Sequence, residues 1–357
     1  MLEKVQGKIE KNGPMPFSEF MALALYDPDH GYYSGTTQRV GKEADFITSV
    51  SVGRCFGLIL ARRLHAYWQS IGKPGSFHII EPAAHDGALC MDILSELKIF
   101  SPEFFHAIHY HLVEISDALR EKQLAKLSGT FPKKISHHAG MDDVKNLHGA
   151  IIANELIDAM PLELVRFENS HWVKLMVTFD DEKALRFSPA NIDDPEMANF
   201  FHSLGNNYPE GYTTEYNIGA NHFLKQAHQA LTRGVMIVID YGHLSEDYYH
   251  PDRTAGTLQT FCNHKKADNP LQSPGELDIT AHVDFSRFAS QAESLGFTPS
   301  PLITQASYLT RHAREWLISL ETSHTPEMPA LLRQFQTLTH PSMLGSKFQV
   351  LEMEKHA

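Results

Sequence analysis

The densest group of side chains able to do chemistry lies in Ile151-Ile-Ala-Asn154-Glu155-Leu-Ile-Asp158-Ala-Met-Pro161, where an apolar run ends in an amide and two carboxylates. Polar groups at the mouth of an apolar strand face the ligand crevice of an α/β sheet, although Asn154 or Asp158 could equally cap a helix start. A second candidate is Glu81-Pro82-Ala83-Ala84-His85-Asp86-Gly87, a strand end that runs directly into a helix. That is where a doubly wound sheet binds a nucleotide-like ligand. Ala83 and His85 stand where a tight turn favours glycine, and only Gly87 remains, so a plain strand-to-helix turn is the competing reading. The third candidate is Glu114, closing the apolar run Tyr110-His-Leu-Val113 and followed by Ile115-Ser116. A carboxylate at that strand end can accept hydrogen bonds from both hydroxyls of a ribose, or be a solvated acid. One ligand would touch both of the last two features.

These residues need a sheet to bring them together, and the hydrophobic rhythm supplies one. From Phe77 onward short apolar runs alternate with amphipathic ones, which predicts crossover units and a mostly parallel sheet in an α/β fold. The expected strands are Phe77 to Glu81, Tyr110 to Glu114, Lys134 to His137, Ala150 to Asn154, Val235 to Asp240, Pro301 to Thr304 and Phe348 to Met353. The expected helices are Gly87 to Lys98, Asp117 to Leu127, His282 to Leu295 and Tyr308 to Leu320. Before them, Phe17, Phe20, Met21, Ala24 and Leu25 recur at helical spacing until Asp27-Pro28, and Phe56, Ile59, Leu60, Leu64 and Tyr67 mark a second helix ending near Gly72. Residues 1–75 therefore read as an N-terminal helical layer and residues 76–357 as the sheet domain. An insertion at about 159–232 separates the fourth and fifth strands and contains an apparent β-hairpin over Leu162 to Phe179, with Asn169-Ser170 at its turn.

Composition narrows the chemistry further. Of 357 residues, 31 are Lys or Arg and 43 Asp or Glu, and the net charge of −12 opposes a phosphate backbone, so nucleic acid is not an expected partner. Three separated cysteines offer neither a disulfide framework nor a cysteine zinc site. The 22 histidines include His106, His109 and His111, but no acid or cysteine stands at zinc spacing beside them, and no metal is expected. A Gly-x-Ser-x-Gly elbow is absent. Met1 to Glu10 has no signal-peptide core and carries Glu3 and Glu10, which a mitochondrial presequence avoids; the longest apolar runs are too short to span a bilayer. These features predict a soluble, cytoplasmic protein without membrane insertion.

The long strings in the chain are similar to those of the MidA-like class I S-adenosylmethionine-dependent methyltransferases, a family with a mitochondrial arginine methyltransferase that assists complex I assembly. The resemblance rests on Tyr26-Asp-Pro-Asp-His-Gly31-Tyr-Tyr, Gly41 to Thr48, Phe56-Gly57, Glu81 to Leu94, and Val113-Glu114-Ile-Ser116 with Leu119-Arg120 and Gln123. It continues through Ala153-Asn154-Glu155 with Asp158-Ala-Met-Pro161, Asp240-Tyr241-Gly242, Gly256-Thr257-Leu258 with His264, and Pro274-Gly275 with Asp278-Ile-Thr-Ala-His-Val-Asp-Phe285. Gly345 to Leu351 matches as well, so nearly the whole chain is covered. Family members usually have glycine where Ala44, Ala83, His85 and Ala306 stand, proline at Val50 and arginine at Gln259.

The resemblance implies a Rossmann-like, seven-stranded methyltransferase sheet with its last strand antiparallel. It also implies S-adenosylmethionine as cofactor, lying over the ends of the first and second strands. Glu81, Ala83, His85 and Gly87 would line the cofactor loop, and Glu114 would hold the ribose, with Ile115 beside it. Asp142 or Asp143 would lie near the adenine amino group. Asp45 and Thr48 would belong to a loop closing over the site. Asn154, Glu155 and Asp158 would form the catalytic cluster, with the two carboxylates orienting a guanidinium. The implied substrate is a protein, with a respiratory-complex subunit as the candidate. A non-catalytic assembly protein that keeps the fold is the alternative. A nicotinamide-dependent dehydrogenase would share the sheet but would explain none of the long strings.

Overall fold

The computed structural model describes residues 1–33, 48–262, 265–320 and 326–356. The chain forms two compact units. One gathers Met1–Asp45, Ile157–His222 and Gly242–Phe288; the other gathers Phe46–Leu156, Phe223–Tyr241 and Ala289–Ala357.

The second unit carries the main sheet. Its strands in chain order are β1 (Phe77–Pro82), β2 (Ile108–Val113), β3 (Ile135–His138), β4 (Leu147–Asn154), β5 (Leu231–His243), β6 (Phe297–Pro299) and β7 (Phe348–Lys355). They lie side by side as β6-β7-β5-β4-β1-β2-β3. Strands β1 to β5 pair in parallel, and β7 runs antiparallel to both β5 and β6. Parallel neighbours need crossovers, and helices α2 (Ala88–Phe100) and α3 (Asp117–Leu127) lie in the first two. On one face, alternate residues Phe77, Ile79, Tyr110, Leu112, Ile152, Val235, Ile237 and Phe348 are buried. They share a core with Phe56, Ile59 and Leu64 of α1 (Cys55–Ser70), Ile93 of α2, and Tyr308 and Trp316 of α4 (Gln305–Ser319). A Cβ on Gly57 would lie 2.5 Å from Asp92 Cβ, so the bare backbone of α1 meets α2 there.

Several boundaries differ from the sequence expectation. Two-residue strands Val283–Asp284 and Ile303–Thr304 pair with β5 and β7, which gives nine strands where seven were expected. The strand expected over Pro301 to Thr304 is present as Ile303–Thr304, and β6 over Phe297–Pro299 is an additional one. Pro299 and Pro301 lack N–H donors, so the contact with β7 is carried across the gap by Ser300 N, which donates to Glu352 O at 2.8 Å. The helix expected from His282 begins at Phe285, because Val283–Asp284 is a strand and Asp284 accepts from Arg287 N at 3.1 Å as a cap. Helix α4 begins at Gln305, three residues before the expected start, behind a Thr304 cap. Helices Leu2–Asn12, Pro102–Ala107 and α5 (Met328–Thr339) have no counterpart in the expectation.

The first unit holds a five-stranded sheet of Met15–Pro16, Glu163–Glu168, His171–Phe179, Leu185–Ala190 and Thr213–Tyr216. Glu163–Glu168 and His171–Phe179 form an antiparallel hairpin. Its turn residues Asn169 and Ser170 both have positive φ, +50° and +66°, which matches the strand twist. Val5, Ile9, Phe17, Phe20 and Met21 of the two N-terminal helices share a core with Leu164, Leu175 and Val177 of this sheet.

Strand alternation places His78, His109, His111, Ser136 and His138 on the face of β1–β3 opposite the main core. The connection from β3 to β4 contains a 3-10 turn, Met141–Asp143, rather than a helix. His78 Nδ1 lies 2.9 Å from His111 Nε2, and His111 Nδ1 lies 3.0 Å from His138 Nε2, so the three rings form a hydrogen-bonded ladder. Burial pushes the buried His111 imidazole down to about 3 and lowers His78, His109 and His138 as well. The folded state therefore binds fewer protons than the unfolded chain. The ladder's contribution to stability is complete above pH ~6.5 and is lost as the pH falls toward the folded values. In urea titrations the midpoint should fall from pH 7 to 5, before ordinary carboxylates titrate, and His111→Gln should flatten that fall. Equal slopes in the two proteins would show that the ladder does not govern acid sensitivity.

Candidate active site at the carboxyl edge of the sheet

Strands β4, β1 and β2 are neighbours, so their carboxyl ends bring Asn154-Glu155, the 83–87 turn and Glu114 to one edge. The turn is main-chain driven. Ala83, His85 and Gly87 have φ of +52°, +46° and +74°. For alanine and histidine this left-handed region costs about 1–2 kcal/mol each, which is the physical reason glycine suits those two positions. Gly87 leads into α2, and a Cβ there would lie 2.7 Å from Leu127 Cδ1. Glu114, buried just beyond β2, accepts from His85 N through Oε2 at 3.0 Å and from Ser116 N through Oε1 at 3.1 Å. Gln123 of α3 donates to His85 O at 2.7 Å, so the turn is held from both sides. Burial raises the Glu114 carboxyl above its ordinary value, and the two N–H donors oppose this. Glu81 is also buried; burial pushes it up to about 8, although the Tyr110 hydroxyl donates to it at 2.5 Å. Ile115, beside Glu114, is 54% exposed, an apolar side chain left at the edge of the crevice. Asp142 and Asp143 are exposed on the Met141–Asp143 turn, and Asp143 Oδ2 accepts from Gly140 N at 3.3 Å.

Glu155 follows β4 with φ +48°, a strained conformation for a side-chain-bearing residue. Its N–H donates to Ile239 O at 2.8 Å, and its Oε1 accepts from Ser49 N at 2.9 Å and Asn154 Nδ2 at 3.2 Å. Among the described residues Asn154 Oδ1, a buried atom, has no hydrogen-bond partner. Thr48 caps the short helix Ser49–Val52, its Oγ1 accepting from Ser51 N at 3.1 Å. Asp45, and Gly41 to Ile47 with it, lie outside the described residues.

Asp158 belongs to the first unit, where it is buried and its carbonyl accepts from Ala281 N at 2.9 Å. That unit also explains strings the sequence reading noted only as resemblances. The carboxylate of Glu215, wholly buried, accepts from Thr257 N at 2.7 Å and Leu258 N at 2.8 Å. It also accepts from the Tyr248 hydroxyl at 2.9 Å and the Thr257 hydroxyl at 3.2 Å. Gly256 has φ +69°, and a Cβ there would lie 2.2 Å from Glu215 Oε1, so a side chain would strike the carboxylate. His282 N donates to Thr257 Oγ1 at 3.0 Å; its Nδ1 is 3.0 Å from His243 Nε2, and burial pushes the ring down to about 4. Asp278 accepts from the Tyr33 hydroxyl at 2.7 Å. Glu215 carries no signal of its own in the sequence; its trace is the string Gly256-Thr257-Leu258, which supplies three of its donors. His264 lies outside the described residues.

Among the described residues no group of three or more His, Cys, Asp or Glu could hold a metal ion, and no helix is long and apolar enough to cross a membrane.

A parallel sheet with a turn and a strand-end acid at its carboxyl edge defines a nucleotide-type ligand fold. Residues 59–302 match the family model described as "Putative S-adenosyl-L-methionine-dependent methyltransferase". The chain belongs to that family: it is an S-adenosylmethionine-dependent methyltransferase, and the resemblance read from the sequence holds. The Homo sapiens protein arginine methyltransferase NDUFAF7, mitochondrial, is 28% identical over 100% of this chain and 83% of its own. The Drosophila melanogaster homolog of the same name, also mitochondrial, is 26% identical over 99% of this chain and 84% of its own. A crystal structure of a Burkholderia thailandensis protein bound to S-adenosyl-homocysteine superposes with a TM-score of 0.88 at 27% identity, covering 99% of this chain and 91% of that one. The mitochondrial names of the relatives overturn the cytoplasmic expectation, which rested on the acids in the first ten residues.

Two substitutions test the geometry. Ala83→Gly relieves a left-handed alanine and should stabilise the protein by about 1 kcal/mol in urea unfolding. Gly256→Ala drives a methyl into Glu215 and should cost about 3 kcal/mol. The opposite sign in either case would remove the strain argument at that position.

Proposed function

We propose that the chain methylates a side-chain nitrogen of a protein, an arginine guanidinium, at the carboxyl edge of β4, β1 and β2. The observation that carries this reading is the convergence of the 83–87 turn, Glu114 and Asn154-Glu155 from three adjacent strands. The arginine acceptor is supported by the names of the relatives, and a respiratory-complex subunit is the substrate candidate the family resemblance offers. We read the path β6-β7-β5-β4-β1-β2-β3 as the class I methyltransferase sheet. Residues 76–357 then form the methyltransferase domain, with an insertion at about 159–232, and residues 1–75 the N-terminal helical layer.

The donor set suits an adenosyl ligand. Each Glu114 oxygen takes one main-chain N–H and keeps lone-pair capacity for a ribose hydroxyl. Ile115 offers an apolar contact to a base, Asp142 or Asp143 an acceptor for its amino group, and Glu81, Ala83, His85 and Gly87 the wall of the loop. Thr48 would contribute from the cap of the short helix Ser49–Val52, whose Ser49 N–H meets Glu155. S-adenosylmethionine, when bound, would supply the electrophilic methyl group. The protein's part is to align donor and acceptor and to exclude water. The charge of Glu155 orients the planar cation, and Asn154 Oδ1 accepts one of its N–H groups.

Glu114→Ala should weaken S-adenosylmethionine binding about tenfold to hundredfold in calorimetry; unchanged affinity would take Glu114 out of the site. Glu155→Gln keeps the shape but removes the charge. It should leave that affinity nearly unchanged and slow transfer of labelled methyl to proteins of a deletion-strain extract at least about a hundredfold. Wild-type labelling of the same protein band by this variant would make the cluster structural.

A further inference from the structure

We infer that Gln305 is a positioning residue for methyl transfer, holding Ser49 and through it the carboxylate of Glu155. This rests on the role given to Glu155 above. Gln305 opens α4, and neither it nor Ser49 has any solvent exposure. Its Nε2 donates to Leu338 O at 3.1 Å, a carbonyl in the last turn of α5 that has no intrahelical donor to rely on. That bond fixes which way the amide points, so Oε1 faces Ser49 and accepts from its hydroxyl at 2.9 Å. The Ser49 hydroxyl is thereby turned toward α4, and its main-chain N–H is the group that reaches Glu155 Oε1, at 2.9 Å. Three hydrogen bonds thus run from the end of α5 to the strand-end carboxylate.

A buried amide is costly unless both ends are bonded, and an apolar side chain would fill the same space without that demand. What the amide adds is a fixed place for Ser49. The need for it is local: Glu155 has φ +48°, so its own backbone preference does not hold the carboxylate where it stands. In-line methyl transfer is sensitive to displacements well below 1 Å, and a shift of Ser49 passes directly to Glu155.

The test uses the full chain, labelled S-adenosylmethionine and a deletion-strain extract as acceptor. Gln305→Leu and Ser49→Ala should each slow labelling about tenfold or more, with KM for S-adenosylmethionine and calorimetric affinity for S-adenosyl-homocysteine within about twofold of wild type. The double variant should be no slower than the slower single one, because both cut the same chain. In Gln305→Glu the protonated acid offers the same acceptor and donor as the amide, so its labelling should recover relative to Gln305→Leu as the pH is lowered from about 8 to 6. Wild-type rates in Gln305→Leu, losses that follow cofactor affinity, or fully additive losses would each overturn the inference. If Gln305→Leu does not fold, Ser49→Ala decides by the same split. A fast Glu155→Gln would defeat the reading of Glu155 itself, whereas a slow Glu155→Gln beside a fast Gln305→Leu would defeat only the role of Gln305.

Discussion

Two main-chain N–H groups, those of His85 and Ser116, meet on the single buried carboxylate of Glu114 and tie the turn after β1 to the end of β2. The turn could not otherwise keep Ala83 and His85 at positive φ, because left-handed backbone in such residues persists only where its surroundings over-determine it. The carboxylate in turn tolerates burial because donors meet both oxygens. Turn and acid are mutually required, and the carboxyl edge of the sheet takes its shape from them.

Carboxylates that accept main-chain N–H groups from another segment occur twice more. Ser49 N donates to Glu155, and Thr257 N and Leu258 N donate to Glu215. Each acid clamps a loop through its main chain, so side-chain identity in the loop matters less than the absence of a clash. Gly256 is the limiting case, since no Cβ fits beside Glu215. This explains how a chain that has alanine and histidine in the turn after β1 keeps that turn: the clamp acts on N–H groups, which alanine and histidine have as glycine does.

Much of this was legible in the residues. The alternation of apolar runs located β1, β2, β4 and β5, because parallel strands buried on both faces read as continuous hydrophobic stretches, and it located the antiparallel β7 as well. Asn169-Ser170 marked the hairpin correctly, since the turn demands positive φ at both positions. The short strands at 283–284 and 297–299 were not legible, because two or three residues carry no period. Helix Leu2–Asn12 escaped because its buried face is only Val5 and Ile9. Glu215 escaped for a different reason: a buried acid in a strand looks like any exposed one until its four donors, drawn from Tyr248, Thr257 and Leu258, are assembled. The cytoplasmic expectation failed because ten residues of N-terminal sequence are a poor guide to compartment.

The position of β5 has a consequence for synthesis on the ribosome. β5 lies between β4 and β7, and β7 is made long after it, once β6, α4 and α5 have emerged. Until then the apolar stretch Val235 to Ile239 presents an unpaired edge, the kind of surface that templates pairing with another nascent chain. The growing polypeptide therefore passes through a window in which a wholly apolar stretch of strand is half-partnered.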